Sequence, residues 1–255
     1  MSASRNVVLH QFPISHYNEK VRWALDWKGI AHRREHYLPG PHARAIEKLS
    51  GQSSTPVLAL DGDVVSGSAA ILERLEADYP EPSLLPTDAA QRREALELQK
   101  RFDDEVGPAT RTALFSVLMN ESAYVAKMFG SPQPAARRFL YRMIFPLARG
   151  KVRAAYQTND RDHVARCEQV AVAALDEVAE RSAATGYLVG DSFTVADLTC
   201  AALLAPIAGP EHPDMKRPSP RPETVRRYVA RFEDHPGVQW VRSTYERDRP
   251  GRATA

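Results

Sequence analysis

Along the first 80 residues, short apolar runs alternate with stretches of helical period; beyond them the helical period takes over. Val7-Val8-Leu9-His10-Gln11-Phe12 is β-branched at its start and stopped by Pro13, which predicts a strand. Behind it Tyr17, Val21, Ala24, Leu25 and Lys28 share one helical face, with Ser15 placed to cap the start and Gly29 where a helix ends. Residues 30–38, closed by Pro39-Gly40, predict a second strand, and 43–49 a short helical turn. Pro56-Val57-Leu58-Ala59-Leu60 and Asp63-Val64-Val65 flank Asp61-Gly62, a hairpin signal. From Ser68 onward, Ile71, Leu72, Leu75 and Tyr79 repeat at helical spacing.

A crossover helix between the first two strands implies parallel pairing, and the tight turn makes the last pair antiparallel. Residues 1–80 therefore predict a small α/β domain, a mixed sheet with helices on its faces. The proline-rich segment around 81–88 reads as a linker, and residues 89–255 as an all-helical second domain. Its helical patterns cover about 88–129, 134–157, 160–183, 194–206 and 222–246. Pro108 and Pro146 are expected to kink or break the first two, and the six prolines from Pro206 to Pro222 to hold an extended loop.

Composition narrows the class. The chain is 43% hydrophobic and 26% charged with only 13 glycines, which excludes disorder and collagen-like repeats. A formal net charge of +2 argues against a dedicated nucleic-acid binder. The start of the chain has no apolar run of signal-peptide length. The longest apolar stretch, Ala201 to Ala208, is interrupted by Pro206 and too short to cross a bilayer. Cys167 and Cys200 belong to no CxxC pair and read as buried free thiols of a cytoplasmic protein.

Three local features carry candidate chemistry. At Ser15 a strand runs into a helix N-terminus, where free N–H groups and the dipole favour an anion; Ser15 could equally be a plain cap. At Ser54-Thr55-Pro56-Val57, a cis proline heading a strand would turn the Thr55 backbone outward. At Ser66-Gly67-Ser68, a small-residue turn into a helix suits a carboxylate or, again, simple capping. Farther on, Thr194 and Asp197 form a capping box, with Phe193 placed to staple onto Leu198. His32-Arg33-Arg34-Glu35-His36 matches a zinc-protease pattern, but on a strand the two histidines stand about 13 Å apart, so no metal is expected.

Ser15, Thr55-Pro56-Val57-Leu58, Gly67-Ser68 and the Thr194–Asp197 box, in that order, resemble the glutathione transferase superfamily over nearly the whole chain. The resemblance implies a thioredoxin-like first domain, a helical second domain, glutathione as co-substrate, a small hydrophobic electrophile and a homodimer. It implies that Ser15 donates to the thiolate, Thr55 binds the cysteinyl backbone and Ser68 the γ-glutamyl carboxylate. Tyr17 and Asn18 stand as alternative thiolate donors, and Asp103 or Asp104 as carboxylates lent to a partner subunit. Two departures matter: the Cys-Pro-x-Cys of redox relatives is absent, and Gly67 replaces the usual acidic residue. The implied reaction is conjugation, ring opening, ether cleavage or dehalogenation; the alternative is a non-catalytic protein- or ligand-binding member of the fold.

Between Glu121 and Asp160 lie seven basic residues and no acidic one, among many apolar side chains. This stretch reads as a solvated helix face, an electrophile pocket for a hydrophobic or anionic substrate, or a contact with anionic lipid. Phe115, Met119 and Tyr124 are candidate pocket walls or, alternatively, helical core.

Overall fold

A computed structural model of the chain describes residues 6–254. Four strands, β1 (Val7–Gln11), β2 (Arg33–His36), β3 (Val57–Leu60) and β4 (Asp63–Ser66), form one sheet in the order β2-β1-β3-β4. β1 pairs parallel with β2 and antiparallel with β3, which pairs antiparallel with β4. Asp61 and Gly62 both take positive φ, 53° and 101°, as the tight turn between β3 and β4 requires. The expected second strand is shorter than its apolar pattern. Ile30 N–H still closes onto Leu25 carbonyl, and pairing with β1 extends only to Tyr37 N–H on Gln11 carbonyl.

Helices α1 (His16–Trp27), α2 (His42–Ser50) and α3 (Ser68–Asp78) complete this part. The helical remainder comprises α4 (Ala89–Arg101), α5 (Gly107–Leu118), α6 (Ser122–Gly130), α7 (Ala135–Ala155), α8 (Arg161–Ser182), α9 (Val195–Ala208), α10 (Glu223–Ala230) and α11 (Pro236–Asp248). Every residue of α9 is buried, which makes it the central helix of the bundle. The capping box forms as expected: Thr194 Oγ1 accepts from Ala196 N–H, and Asp197 accepts from Thr194 N–H at 3.0 Å. Phe193 packs its ring on Trp23 and Trp27 of α1.

The prolines act unequally. Pro146 and Pro206 sit inside α7 and α9, which run on past them. Pro236 splits the pattern expected over 222–246, because it has no N–H and disfavours helical backbone at His235, which becomes the cap of α11. Pro108 leaves α5 intact but is preceded by a π-helical turn, Phe102–Val106. There Gly107 N–H reaches five residues back to Phe102 carbonyl, so the Asp103 carbonyl is left without its helical donor. Tyr17 of α1 takes that carbonyl with its hydroxyl at 2.6 Å, and His16 Nε2 meets Gly107 carbonyl at 3.1 Å.

A buried charge network fastens the other side of α1. Arg249, beyond the end of α11, donates to Glu19 and Asp26 of α1 and to Asp214, each at 2.9 Å. Arg22 binds Glu19 at 2.7 Å and Arg34 binds Asp214 at 2.6 Å. Burial pushes the Glu19 carboxyl up, but Arg249 and Arg22 outweigh it and hold it below the usual carboxylate range. Replacing Arg249 by Met leaves Glu19 and Asp26 buried with fewer partners. The loss in unfolding free energy, read by urea titration, is expected to be about 3–5 kcal/mol; a change under about 1 kcal/mol contradicts a fastening role.

Candidate functional site

The first turn of α1 begins at Ser15, whose extended backbone makes it the N-cap. Its Oγ accepts from Asn18 N–H over a long 3.4 Å, and its own proton has no acceptor among the described residues. The hydroxyl therefore stands half-buried at the positive end of α1 with a donor to spare. Asn18 is buried; its Nδ2 donates to Thr55 Oγ1 at 3.2 Å, while its Oδ1 has no partner. This bond ties the start of α1 to the loop that enters β3.

That loop carries a cis Thr55–Pro56 peptide. Neither the N–H nor the carbonyl of Thr55 is paired with another backbone group among the described residues. Pro56 carbonyl accepts from Gly67 N–H at 3.0 Å, which draws the start of α3 against the same loop. Gly67 has φ +89° and ψ 138°, a backbone that glycine adopts freely and side-chain-bearing residues resist. Ser68 follows at the first helical position, buried, with no side-chain hydrogen bond capping α3. The opening N–H groups of α3 and the Ser68 hydroxyl thus form an anion-accepting end.

Ser15, Asn18, Thr55, Pro56, Gly67 and Ser68 come together along one edge made by β3 and the starts of α1 and α3. Tyr17 does not join them. Its hydroxyl is committed to the Asp103 carbonyl, burial raises its pKa well above the ordinary value, and a Cβ at Gly107 would sit 2.4 Å from its oxygen. Asp103 is engaged within its own chain through Lys20 Nζ at 2.6 Å, and Asp104 pairs with Lys100. In the zinc-protease look-alike, Arg33–His36 is a strand, and His32 uses both ring nitrogens, one on Ile30 carbonyl and one for Arg34 Nε.

Against Ser15 lies a small cavity of about 30 Å³, lined by Phe115, Met128, His16, Arg111 and Arg217 among others. Phe115 faces it as expected of a wall residue, whereas Met119 and Tyr124 are buried, and Tyr124 donates to Pro218 carbonyl. Arg217 also borders a groove of about 710 Å³ between α6, α7 and residues 216–219, with Lys127, Arg138, Arg142 and Lys216 on its walls. The sequence pattern pointed to the α6–α7 part of this basic groove but not to Arg111 or Arg217, which converge from segments far apart in the chain.

Burial is the main cause, with Arg111 adding to it and the Gly107 hydrogen bond opposing, of a His16 pKa lowered to about 3. His16 is therefore neutral throughout the working range. Between its ordinary 6.5 and about 3, the unfolded chain takes up a proton that the folded chain refuses, so this stability is present above pH 6.5 and lost as pH falls. Between pH 7.5 and 4.5 the drop in unfolding free energy is expected to shrink by about 2–3 kcal/mol in His16→Gln. An equal drop in both proteins contradicts the buried neutral imidazole.

Comparison with known proteins follows the same two-part layout. Residues 9–83 match the family model "Glutathione S-transferase, N-terminal domain" and residues 161–231 match "Glutathione S-transferase, C-terminal domain". Together these cover more than half of the chain. Maleylpyruvate isomerase of a Ralstonia species is 29% identical over 130 residues, a match spanning 50% of this chain and only 58% of that protein. Glutathione S-transferase TCHQD of Arabidopsis thaliana is 27% identical over 204 residues, covering 77% of this chain and 75% of that protein. Among solved structures, β-etherase LigF of Sphingobium sp. strain SYK-6 superposes with a TM-score of 0.63 at 19% identity, covering 94% of this chain and 99% of that one. A glutathione S-transferase of Methylobacterium radiotolerans, in complex with glutathione sulfonate, gives 0.60 at 20% identity, covering 98% and 97%. Among the described residues no helix is long and apolar enough to cross a membrane. The chain belongs to the glutathione S-transferase superfamily.

Proposed function

We propose that this chain binds glutathione along the edge formed by Ser15, Thr55 and Ser68 and directs its sulfur at an electrophilic carbon. The observation that carries the reading is the spare donor of Ser15 at the α1 N-terminus, beside two further unspent polar edges. Thr55 offers an unpaired N–H and carbonyl, suited to the antiparallel embrace of an extended peptide. Ser68 and the free N–H groups of α3 suit the γ-glutamyl carboxylate. The complex of the Methylobacterium radiotolerans relative with glutathione sulfonate and the two matched family models support glutathione as the ligand.

Glutathione supplies the nucleophilic sulfur. Ser15 donates its hydroxyl proton into a hydrogen bond with that sulfur, and the α1 dipole adds to the field, so that the thiolate form is favoured near neutral pH. The thiol proton leaves to solvent, and Ser15 keeps its own. Asn18 positions the loop through Thr55 Oγ1, and Tyr17, spent on Asp103 carbonyl, anchors α1. Phe115 and Met128 face the cavity beside Ser15 and keep water from it. The products we infer are those of thiol addition to carbon: conjugates, opened rings, cleaved ethers or dehalogenated compounds.

A hydrogen bond to a charged acceptor contributes about 1.5–3 kcal/mol, so Ser15→Ala is expected to raise the bound thiol's pKa by about 1–2 units and to lower turnover at neutral pH. An unchanged thiol pKa removes Ser15 from the role. Ser68→Ala is expected to weaken glutathione binding about tenfold while leaving the bound thiol's pKa in place. A shifted pKa with undiminished binding contradicts the assignment.

A further inference from the structure

Two cations on the walls of the cavity beside Ser15 lack anionic partners. Arg217 is 8% exposed, and only its Nη2 is bonded, at 2.5 Å to Pro206 carbonyl; its Nη1 is buried with no partner. Arg111 stacks its guanidinium 4.6 Å over the Tyr156 ring, and its Nε is likewise buried and unpaired. Neither arginine makes an ion pair with any described residue, whereas Arg22, Arg34 and Arg249, buried in the same molecule, each bind a carboxylate. Burial, reinforced by Arg221, lowers the Arg217 pKa to about 10, so the group stays charged at neutral pH despite its surroundings.

An unpaired buried guanidinium is costly to a fold, and one lining a cavity is a candidate for completion by a ligand. Among the described residues no acidic side chain lines either the cavity beside Ser15 or the groove that shares Arg217 with it. The groove, about 710 Å³, falls in the range of small-molecule sites, and Lys127, Arg138, Arg142 and Lys216 give it one sign of charge. The cavity of about 30 Å³ holds no more than a small head group. The apolar lining beside Ser15 and the basic groove thus meet at Arg217.

We propose that the electrophile is an organic anion: its carboxylate is received by Arg217, with Arg111 as the second cation, while its carbon skeleton lies in the adjoining space. This rests on the reading of Ser15 as the thiolate-stabilising group and adds the substrate class. The unspent Nη1 of Arg217 accounts for the discrimination, because an uncharged substrate would leave that donor buried and unpaired.

The test uses 4-chloro-3,5-dinitrobenzoate and its methyl ester. With either, glutathione sulfur forms the new bond to the ring carbon and chloride leaves with the electron pair of the broken carbon–chlorine bond. Relative to the uncatalysed reaction of each compound with glutathione, which is faster for the more electron-poor ester, the native protein is expected to prefer the anion by about tenfold or more in kcat/KM, and Arg217→Met to remove that preference. Calorimetry with 3,5-dinitrobenzoate, which has no leaving group, is expected to show binding that weakens about tenfold in Arg217→Met and less in Arg217→Lys. Should the Met variant fail to fold, Arg217→Lys and Arg111→Met, each expected to lower the anion preference, carry the test. Equal acceleration of anion and ester over their uncatalysed reactions by the native protein, or an equal loss of both in the variants, overturns the anion site while leaving thiol activation standing. Turnover of neither, with dinitrobenzoate binding still dependent on Arg217, keeps the anion site and removes the thiol reading.

Discussion

The placement of α1 is the constraint on which the rest depends. One end of this helix carries Ser15, and its body is gripped by groups from the helical part of the chain. Glu19 and Asp26 receive Arg249, Lys20 receives Asp103, and Tyr17 and His16 reach carbonyls of the π-helical turn and of Gly107. Desolvating so many charges offsets most of their mutual attraction, so they select one seating of the helix more than they add net stability. The net gain comes from apolar burial, where Trp23 stacks on Phe193 and Trp27 packs against it at a tilt. A shift of α1 would therefore break polar partners and aromatic contacts together, and would carry Ser15 with it.

The site is a set of backbone ends left unspent. Ser15 keeps its proton, Thr55 both edges of its peptide, and Ser68 and the start of α3 their donors. Groups of this kind are rarely left unpaired in an interior, and here they lie together at one end of the sheet, past the end of β1 and before the start of β3. Arg111 and Arg217 extend the same logic to charge. The protein holds its donors without internal partners and so presents them in fixed directions, which is what a site complementary to an anion needs.

What could be read from the sequence was local. The Ser15 cap, the Asp61-Gly62 turn and the Thr194–Asp197 box are each set by residues within a few positions of one another, and each forms where the pattern places it. The mixed sheet followed by helices is equally a matter of short-range period. Pro236 and Pro206 show the limit. One opens a helix inside a pattern that reads as continuous and the other lies inside a fully buried helix, because packing decides whether a lost N–H is tolerated. The direction of Tyr17 depends on a carbonyl 86 positions away, freed by a π turn that has no reliable pattern of its own. The pairing of Arg249 with Glu19 and the convergence of Arg111 and Arg217 on Ser15 are likewise products of the tertiary fold.

The most direct test of the central claim is a glutathione titration by calorimetry, followed by the ultraviolet absorbance of the bound thiolate across pH. The account predicts saturable binding and a thiol pKa below that of free glutathione, because the α1 N-terminus and Ser15 favour the charged sulfur. No binding at millimolar glutathione, or a bound thiol that titrates as it does in water, would contradict it.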